Sequence, residues 1–381
     1  MRSVAVVGAS LAGLGAARAL RAQGFDGALT LVGAEPHPPY DRPPLSKAVL
    51  LGTAGPADLD LCDPADADLA AEWRLGVPAT GLDRHRRSVL LADGTEVRAD
   101  GVVVATGALP RRLPGPPLAG VHVLRTREDA AALRGALTSG PRVVVVGGGF
   151  IGAEAASACA ALGLDTTVVE AAPLPLAGVL GAEMAAHCAD LHAAAGVRLL
   201  CGTGVARLLG TGRVRAVELA DGRRLPADTV VAGIGAVPAA DWLAGSGVAV
   251  ADGVVCDGGG RTSVPGVVAV GDVARWRTPG GSVRAEHWTA AVEQPAVAVR
   301  NLLAGATVAE YRRPPYFWSD QYGVRVQFAG RRAPGDTVRV VEGDPAQRSF
   351  AAVYERAGAA AAVLAVDRAR AFTRLRRTLT A

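Results

Sequence analysis

Lysine is almost missing from this chain of 381 residues: of 40 basic side chains only Lys47 is lysine, and the rest are arginine. A planar guanidinium does not replace a compact ammonium. Position 47 therefore either keeps its lysine by chance or needs an ammonium. Cysteine pairs are missing too. Cys62, Cys159, Cys188, Cys201 and Cys256 are scattered, with no C-x-x-C or C-x4-C spacing, which argues against a metal site and a local redox disulfide and suits a reducing cytoplasm. No apolar run is long and uninterrupted enough to cross a membrane. The net charge of +4, from 40 basic and 36 acidic residues, is too mild for a nucleic-acid binder without a basic–aromatic stripe. Arg2 and the apolar stretch behind it imitate an export signal, but Gly8, Ser10, Gly13 and Gly15 punctuate that stretch as a folded turn would. The expectation is a cytoplasmic protein of two or three domains, with no metal, nucleic-acid or membrane partner.

What is present begins at once. Val4–Val7 reads as a short buried strand, Gly8 to Gly13 as a glycine-opened turn and Ala16 to Arg21 as helix. Such a strand–turn–helix receives a dinucleotide pyrophosphate on its backbone N–H groups and helix N-terminus. Ser10 stands where the G-x-G-x-x-G pattern has its middle glycine. A second strand, Leu29–Gly33, leads to Glu35, placed to accept hydrogen bonds from a ribose or else a solvated turn carboxylate. Residues 38–47, Pro-Pro-Tyr-Asp-Arg-Pro-Pro-Leu-Ser-Lys, hold four prolines in ten positions. They predict a stiff loop, neither helix nor central strand, suited to positioning groups.

A repeat follows. Val89–Gly107 contains an Asp93-Gly94 hairpin and an apolar strand closing on glycine; Val217–Gly235 echoes it with Asp221-Gly222. Ahead of the second copy stands another strand–turn–helix, in which Gly147, Gly149 and Gly152 meet G-x-G-x-x-G fully. A strand over 166–169 then ends at Glu170. A carboxylate there favours a free ribose 2′-hydroxyl, and Ala171-Ala172-Pro173-Leu174 offers no arginine for a 2′-phosphate. The cofactor expected at this second turn is NADH. Two dinucleotide units in one chain are thus legible.

Between and after these units the reading is coarser. Asp66 to Leu75 reads as helix, and residues 236–259 as loops and short strands. Val267–Asp272 is an apolar strand ending in Gly271-Asp272, where glycine lets a ligand approach and Asp272 can accept hydrogen bonds from a polyol. Glu286-His287-Trp288 opens a helical stretch to Leu303. Beyond 310 come Trp318-Ser319-Asp320-Gln321, strands near 324–329, 337–342 and 350–354, and a basic terminal helix from Ala369 to Leu379. This part reads as a small α+β domain without nucleotide features.

Together these segments resemble the flavin-dependent pyridine nucleotide oxidoreductases, more narrowly the FAD-containing NADH:ferredoxin or rubredoxin reductases of bacterial oxygenase and P450 systems. The resemblance runs nearly the full length. It rests on the first glycine turn, Pro-Tyr-Asp-Arg-Pro-Pro-Leu-Ser-Lys (39–47), Ala105-Thr106-Gly107, Leu124-Arg125-Thr126, Gly147–Glu154, Gly271-Asp272 and Trp318–Gln321. It implies an α/β fold of two Rossmann-like, three-layer dinucleotide-binding domains, one inserted in the other, plus the small C-terminal domain. The implied boundaries are 1–108 with 236–309 for FAD, 109–235 for NAD(H), and 310–381 covering the flavin. It assigns Gly8, Ser10, Gly13, Glu35, Arg42, Lys47, Thr106, Gly107, Arg125, Gly271, Asp272, Glu286, His287 and Trp288 to cofactor binding. On the nicotinamide side it adds Gly147, Gly149, Ile151, Gly152, Glu154, Glu170, Gly235 and Trp318. Each has a plainer alternative: Arg125 pairs with Glu128 or Asp129, Trp318 is core, and Glu154 is a first-turn helix acid favoured by the dipole.

The implied activity is hydride transfer from NADH to FAD, then single electrons to a small iron–sulfur ferredoxin, with Lys47, Glu154 and Trp318 at the reacting end and Lys47 paired with Glu154. The implied assembly is a monomer or weak homodimer. Disulfide-reducing relatives need a cysteine near residues 40–50, and none is there. Quinone or monodehydroascorbate-type reduction and a slow-turnover flavin-binding signalling role stay open. A plain NAD dehydrogenase does not explain the Gly-Asp strand. Pro295, where a helix-compatible glycine is usual, puts the local helix start in question. Arg312 and Arg313 read as solvated surface or as contacts for an acidic ferredoxin.

Overall fold

The computed structural model describes residues 1–278 and 280–379. These form two compact units: Met1–Asp41, Asp60–Leu109 and Val237–Pro315 in one, Arg42–Leu59, Pro110–Ala236 and Tyr316–Ala381 in the other.

The first unit is built on a five-stranded parallel sheet in the order Val267–Ala269, Gly101–Val104, Ser3–Val7, Ala28–Gly33, Ala71–Leu75. Its central strand is apolar at every position from Val4 to Val7, as a parallel strand covered on both faces requires; those side chains are at most 1% exposed. Each buried valine contributes roughly 1.5–3 kcal/mol. From Ser3–Val7 the chain crosses through the helix Leu11–Ala22 to one neighbour, while the other neighbour, Gly101–Val104, arrives later. Strand order therefore reverses beside the first glycine turn, the place where such sheets bind ligands. The helix begins at Leu11, five residues earlier than the sequence reading, because Ser10 already stands in extended backbone as its N-cap. A second helix, Trp288–Ala304, packs against it. Pro295 lies inside that helix rather than at its start, and its ring fills the space left by Gly15, whose added Cβ would come 3.3 Å from the proline.

One reading in this unit needs correction. Residues 66–75 are not a helix: Pro64–Leu69 is a short 3-10 turn capped by Asp63, and Ala71–Leu75 is the edge strand. Leu69 and Trp73 supply the apolar spacing mistaken for a helical face; Leu69 is buried, and Trp73 packs against the same core.

The second unit repeats the plan. Its parallel sheet runs Arg198–Cys201, Thr166–Glu170, Val143–Val146, Thr229–Ala232, Val121–His122, with the helix Phe150–Ala161 as the first crossover. A separate five-stranded antiparallel sheet follows in the order Tyr316–Gln321, Val324–Gly330, Ala359–Val366, Ser349–Arg356, Thr337–Asp344, and the helix Ala369–Arg376 packs on it through Ala371 and Phe372. The strand Ala359–Val366 was not foreseen, because its alanines carry no strand preference. From Arg42 onward the proline loop belongs to this unit. It is not wholly irregular: Pro43–Ser46 is one 3-10 turn with prolines at its start, where missing N–H groups cost nothing, and Ala48–Leu51 is a single helical turn. No helix among the described residues is long and apolar enough to cross a membrane.

Candidate functional site

At the first turn, Gly8 has φ +116°, and a Cβ there would lie 2.1 Å from the Ala105 carbonyl oxygen. Only glycine lets the turn pass this closely under the end of Gly101–Val104. Gly13 seats the helix on the turn; its Cβ would meet Gly8 O at 1.8 Å. Ser10 makes no side-chain cap bond, and its carbonyl accepts the first helical N–H, from Leu14, at 2.8 Å. Glu35 is held by the Tyr40 hydroxyl, so the proline loop orients the carboxylate that ends the second strand. Thr106 Oγ1 donates to Ala239 O at 2.6 Å, and Gly107 O accepts the N–H of Ala239 at 3.0 Å.

The distant Gly271-Asp272 is brought to the same place. A Cβ on Gly271 would lie 3.0 Å from Ala12 Cβ, in the first turn of the Leu11–Ala22 helix, and its N–H donates to the buried Gln294 Oε1 at 2.8 Å. The strand itself, Val267–Ala269, ends earlier than expected, and Gly271–Val273 forms a 3-10 turn that carries Asp272. Glu286 bonds Arg284, His287 stands in extended backbone at the N-cap position of the Trp288–Ala304 helix, and Trp288 Nε1 donates to Asp41 Oδ1 at 2.8 Å. Burial pushes the His287 imidazole down, against the pull of Asp272 and Glu286.

In the second unit Gly147 repeats Gly8: φ +98°, with a Cβ position 2.3 Å from Gly233 O. Gly152 seats its helix as Gly13 does, at 2.0 Å from Gly147 O. Around Gly149, by contrast, a Cβ would meet no heavy atom within 4 Å, so the helix N-terminus faces open space. Glu170 is fixed by two backbone donors, Gly148 N–H on Oε2 at 2.7 Å and Ala172 N–H on Oε1 at 2.8 Å. Ile151 is 45% exposed beside this turn. Gly235 O accepts from Arg111 N–H at 2.9 Å.

Two carboxylates on that helix and strand have very different settings. Glu170 is partly open; Glu154 is buried at 4% exposure. Glu154 is the fifth helical residue, beyond the first turn, so the dipole explanation does not apply. Its Oε2 accepts from Lys47 Nζ at 2.7 Å and from Ser46 Oγ at 2.5 Å, and its Oε1 from Ser319 Oγ at 2.7 Å. Lys47 also donates to Pro43 O at 3.1 Å. A buried charge needs such compensation. Trp318 is not part of this cluster. Along Tyr316–Gln321 the buried positions are Phe317, Ser319 and Gln321, so Trp318 is on the opposite face, stacked on Tyr316 with ring centroids 5.9 Å apart.

Arg42 Nη1 donates to Arg125 O at 2.6 Å, and Arg125 N–H donates to Asp129, whose other bonds close a capping box with Thr126. Arg42, Lys47 and Arg125 all belong to the second unit, and Gly8, Glu35 and Asp272 to the first. Arg312 and Arg313 are exposed and paired with Glu310 and Glu293. Among the described residues no group of His, Cys, Asp or Glu is placed to hold a metal.

Tyr40, Asp41, Ser46, Ser319 and Gln321 also bond to these groups, and their residue types alone do not mark them out. The available signal was period-two alternation: Ser319 and Gln321 share the face of Phe317, so the strand buries polar groups that need partners.

Comparison with known proteins agrees with this arrangement. Residues 2–295 match the family model described as pyridine nucleotide-disulphide oxidoreductase, and residues 316–381 match one described as reductase C-terminal. The chain is 39% identical to a ferredoxin–NAD(P)+ reductase of Sphingomonas sp over 373 residues, 96% of this chain and 88% of that protein. It is 40% identical to the ferredoxin–NAD+ reductase component of the Paraburkholderia xenovorans biphenyl dioxygenase system, over 90% of this chain and 84% of the relative. Among solved structures it is similar to a chain of the covalent putidaredoxin reductase–putidaredoxin complex, with TM-score 0.93, 35% identity and coverage of 99% of this chain and 92% of that one.

Proposed function

The chain belongs to the pyridine nucleotide-disulphide oxidoreductase family, and on that premise we propose that it is a FAD-dependent NADH:ferredoxin reductase. The observation that carries the proposal is the presence of two nucleotide turns, each followed by an anchored carboxylate, with an ion pair between Lys47 and the buried Glu154 in the same chain. The turns fit dinucleotides: Gly8 and Gly147 pack where no side chain fits, and Gly149 opens on free space at a helix N-terminus without a first-turn acid.

The FAD-holding residues in this proposal are Gly8, Ser10, Gly13, Glu35, Thr106, Gly107, Gly271 and Asp272, with Glu286, His287 and Trp288 beside them. Arg42 and Arg125 supply the cationic groups a pyrophosphate requires. Gly147, Gly149, Ile151, Gly152, Glu170 and Gly235 serve NADH. The corresponding domains are 1–108 with 236–309, 109–235, and 310–381. Glu170 favours NADH over NADPH because its carboxylate, tied to Gly148 and Ala172, cannot turn away from a 2′-phosphate. The free cysteines suit a reducing cytoplasm, where we place the protein.

When bound, FAD supplies the chemistry, taking a hydride from NADH and releasing electrons singly to the iron–sulfur partner. The protein's own contribution is orientation and charge. Lys47 provides a fixed ammonium, and the buried Glu154 carboxylate keeps it in place. Trp318 offers an aromatic face on the other side of its strand.

Anaerobic stopped-flow mixing with NADH, followed by a panel of ferredoxins coupled to cytochrome c, tests the proposal. A flavin spectrum that bleaches on NADH and a ferredoxin-dependent cytochrome signal are expected. Colourless protein refutes it, and reduction far slower than turnover favours the signalling reading.

A further inference from the structure

We propose that Ser319 and Ser46 are positioning residues: their hydroxyls lock the Glu154 carboxylate in one orientation and so hold the chain's single side-chain ammonium in place. What the held ammonium is used for rests on the reductase reading; the lock itself does not.

The lock follows from how the donors are shared. Ser319 is on Oε1 and Ser46 on Oε2, so tilting the carboxylate plane of Glu154 about its last bond weakens both contacts at once. Ser319 Oγ accepts from Gln321 Nε2 at 3.2 Å. A hydroxyl has one proton, and with its acceptor side filled by Gln321 that proton is directed to Glu154. Ser319, Gln321 and Ser46 are 0%, 2% and 2% exposed, so water does not compete.

The three segments are themselves fixed. Ser46 and Lys47 leave the 3-10 turn Pro43–Ser46 as neighbours, which delivers a hydroxyl and an ammonium to one oxygen. Ser319 is held by its strand. One turn beyond Glu154, Ser157 Oγ accepts the N–H of Tyr322 at 2.7 Å, a second rung between the helix and the end of that strand. Lys47 Nζ spends two of its three N–H bonds on Glu154 and Pro43 O. The locked carboxylate therefore fixes where the third points, which is the donor left for a ligand.

Because Lys47 is the only lysine, a holoprotein grown with 13C,15N-lysine shows one side-chain signal, and mass spectrometry follows the acylation of one side-chain amine. The wild type is compared with Ser319→Ala, Ser319→Thr and Ser46→Ala. Ser319→Ala should shift and broaden the Lys47 signal. It should speed acylation of Lys47 about tenfold and slow flavin reduction by NADH about tenfold, the scale of one hydrogen bond to a charged group. Binding of NADH should change less than about threefold. Ser319→Thr should restore all three. If Ser319→Ala does not fold, Ser46→Ala carries the same test. A Lys47 signal and acylation rate equal to wild type in a folded alanine variant overturn the proposal. A changed Lys47 signal in a protein that NADH never reduces supports the lock and refutes the reductase reading.

Discussion

Lys47 Nζ donates to Glu154 Oε2 at 2.7 Å across 107 residues of sequence, and the Glu154 side chain is 3% exposed. The contact joins the proline loop to the helix of the second glycine turn. Replacing Lys47 by Arg keeps a positive charge but spreads it over a plane that does not fit between Pro43 O and Glu154. The variant should fold, with flavin reduction by NADH slowed about tenfold or more. Stopped-flow absorbance measures this, and an unchanged rate means the solitary lysine is there by chance. Lys47→Met removes the counter-charge and should lower stability by about 3 kcal/mol in urea unfolding.

Glu170 decides between the two nicotinamide cofactors. Glu170→Gln keeps an acceptor for one backbone N–H but removes the charge. NADH affinity should fall about tenfold, and discrimination against NADPH should relax. Titrations with both cofactors read the ratio. A wild type that prefers NADPH sinks the assignment.

His192 gives an acid limit to stability. It is 2% exposed, its Nδ1 lies 2.7 Å from the Tyr322 hydroxyl, and burial lowers its pKa from 6.5 to about 4. Between those values the unfolded chain binds a proton that the folded chain does not, so stability falls as pH drops from 6.5 towards 4. The loss is on the order of 3 kcal/mol by the lower end. His192→Gln, neutral throughout, should show a flatter decline in denaturant midpoint over that window. Equal slopes in both proteins exclude His192 as the cause.

Asn301 is fully buried and uses every polar atom: Nδ2 donates to Gly259 O and Ala309 O, and Oδ1 accepts from the N–H groups of Val308 and Ala309. Asn301→Asp turns two donors into an acceptor facing two carbonyl oxygens. The expected cost is about 3 kcal/mol or more at neutral pH, read as a lower Tm. Asn301→Asp with a wild-type Tm contradicts this role.

Much of the fold was legible because it depends on local rules. A strand with four successive apolar residues, a glycine that must pass under a neighbour and an acid at the next strand's end lie within about thirty residues, and both copies show them. Ala359–Val366 was not legible, since its alanines are placed in a strand by their neighbours rather than by preference. Pro295 misled for a related reason: its effect depends on Gly15, which leaves room for the ring. At the candidate site the charged residues stood out as types, whereas Ser46 and Ser319 did not. Serine is common on surfaces, and these two acquire meaning only when segments 108 and 165 residues from Glu154 converge on it.

The edge strand Val267–Ala269 pairs with Gly101–Val104, although the whole of the second parallel sheet lies between them in the chain. Synthesis proceeds from the N-terminus, so all five strands of that second sheet emerge while Gly101–Val104 still has an open side. An all-apolar strand with unpaired backbone groups is a template for the wrong partner. A chain stalled or cut before residue 267 therefore exposes a sticky edge, and expression of N-terminal fragments ending there should yield aggregates rather than a half-sized flavoprotein.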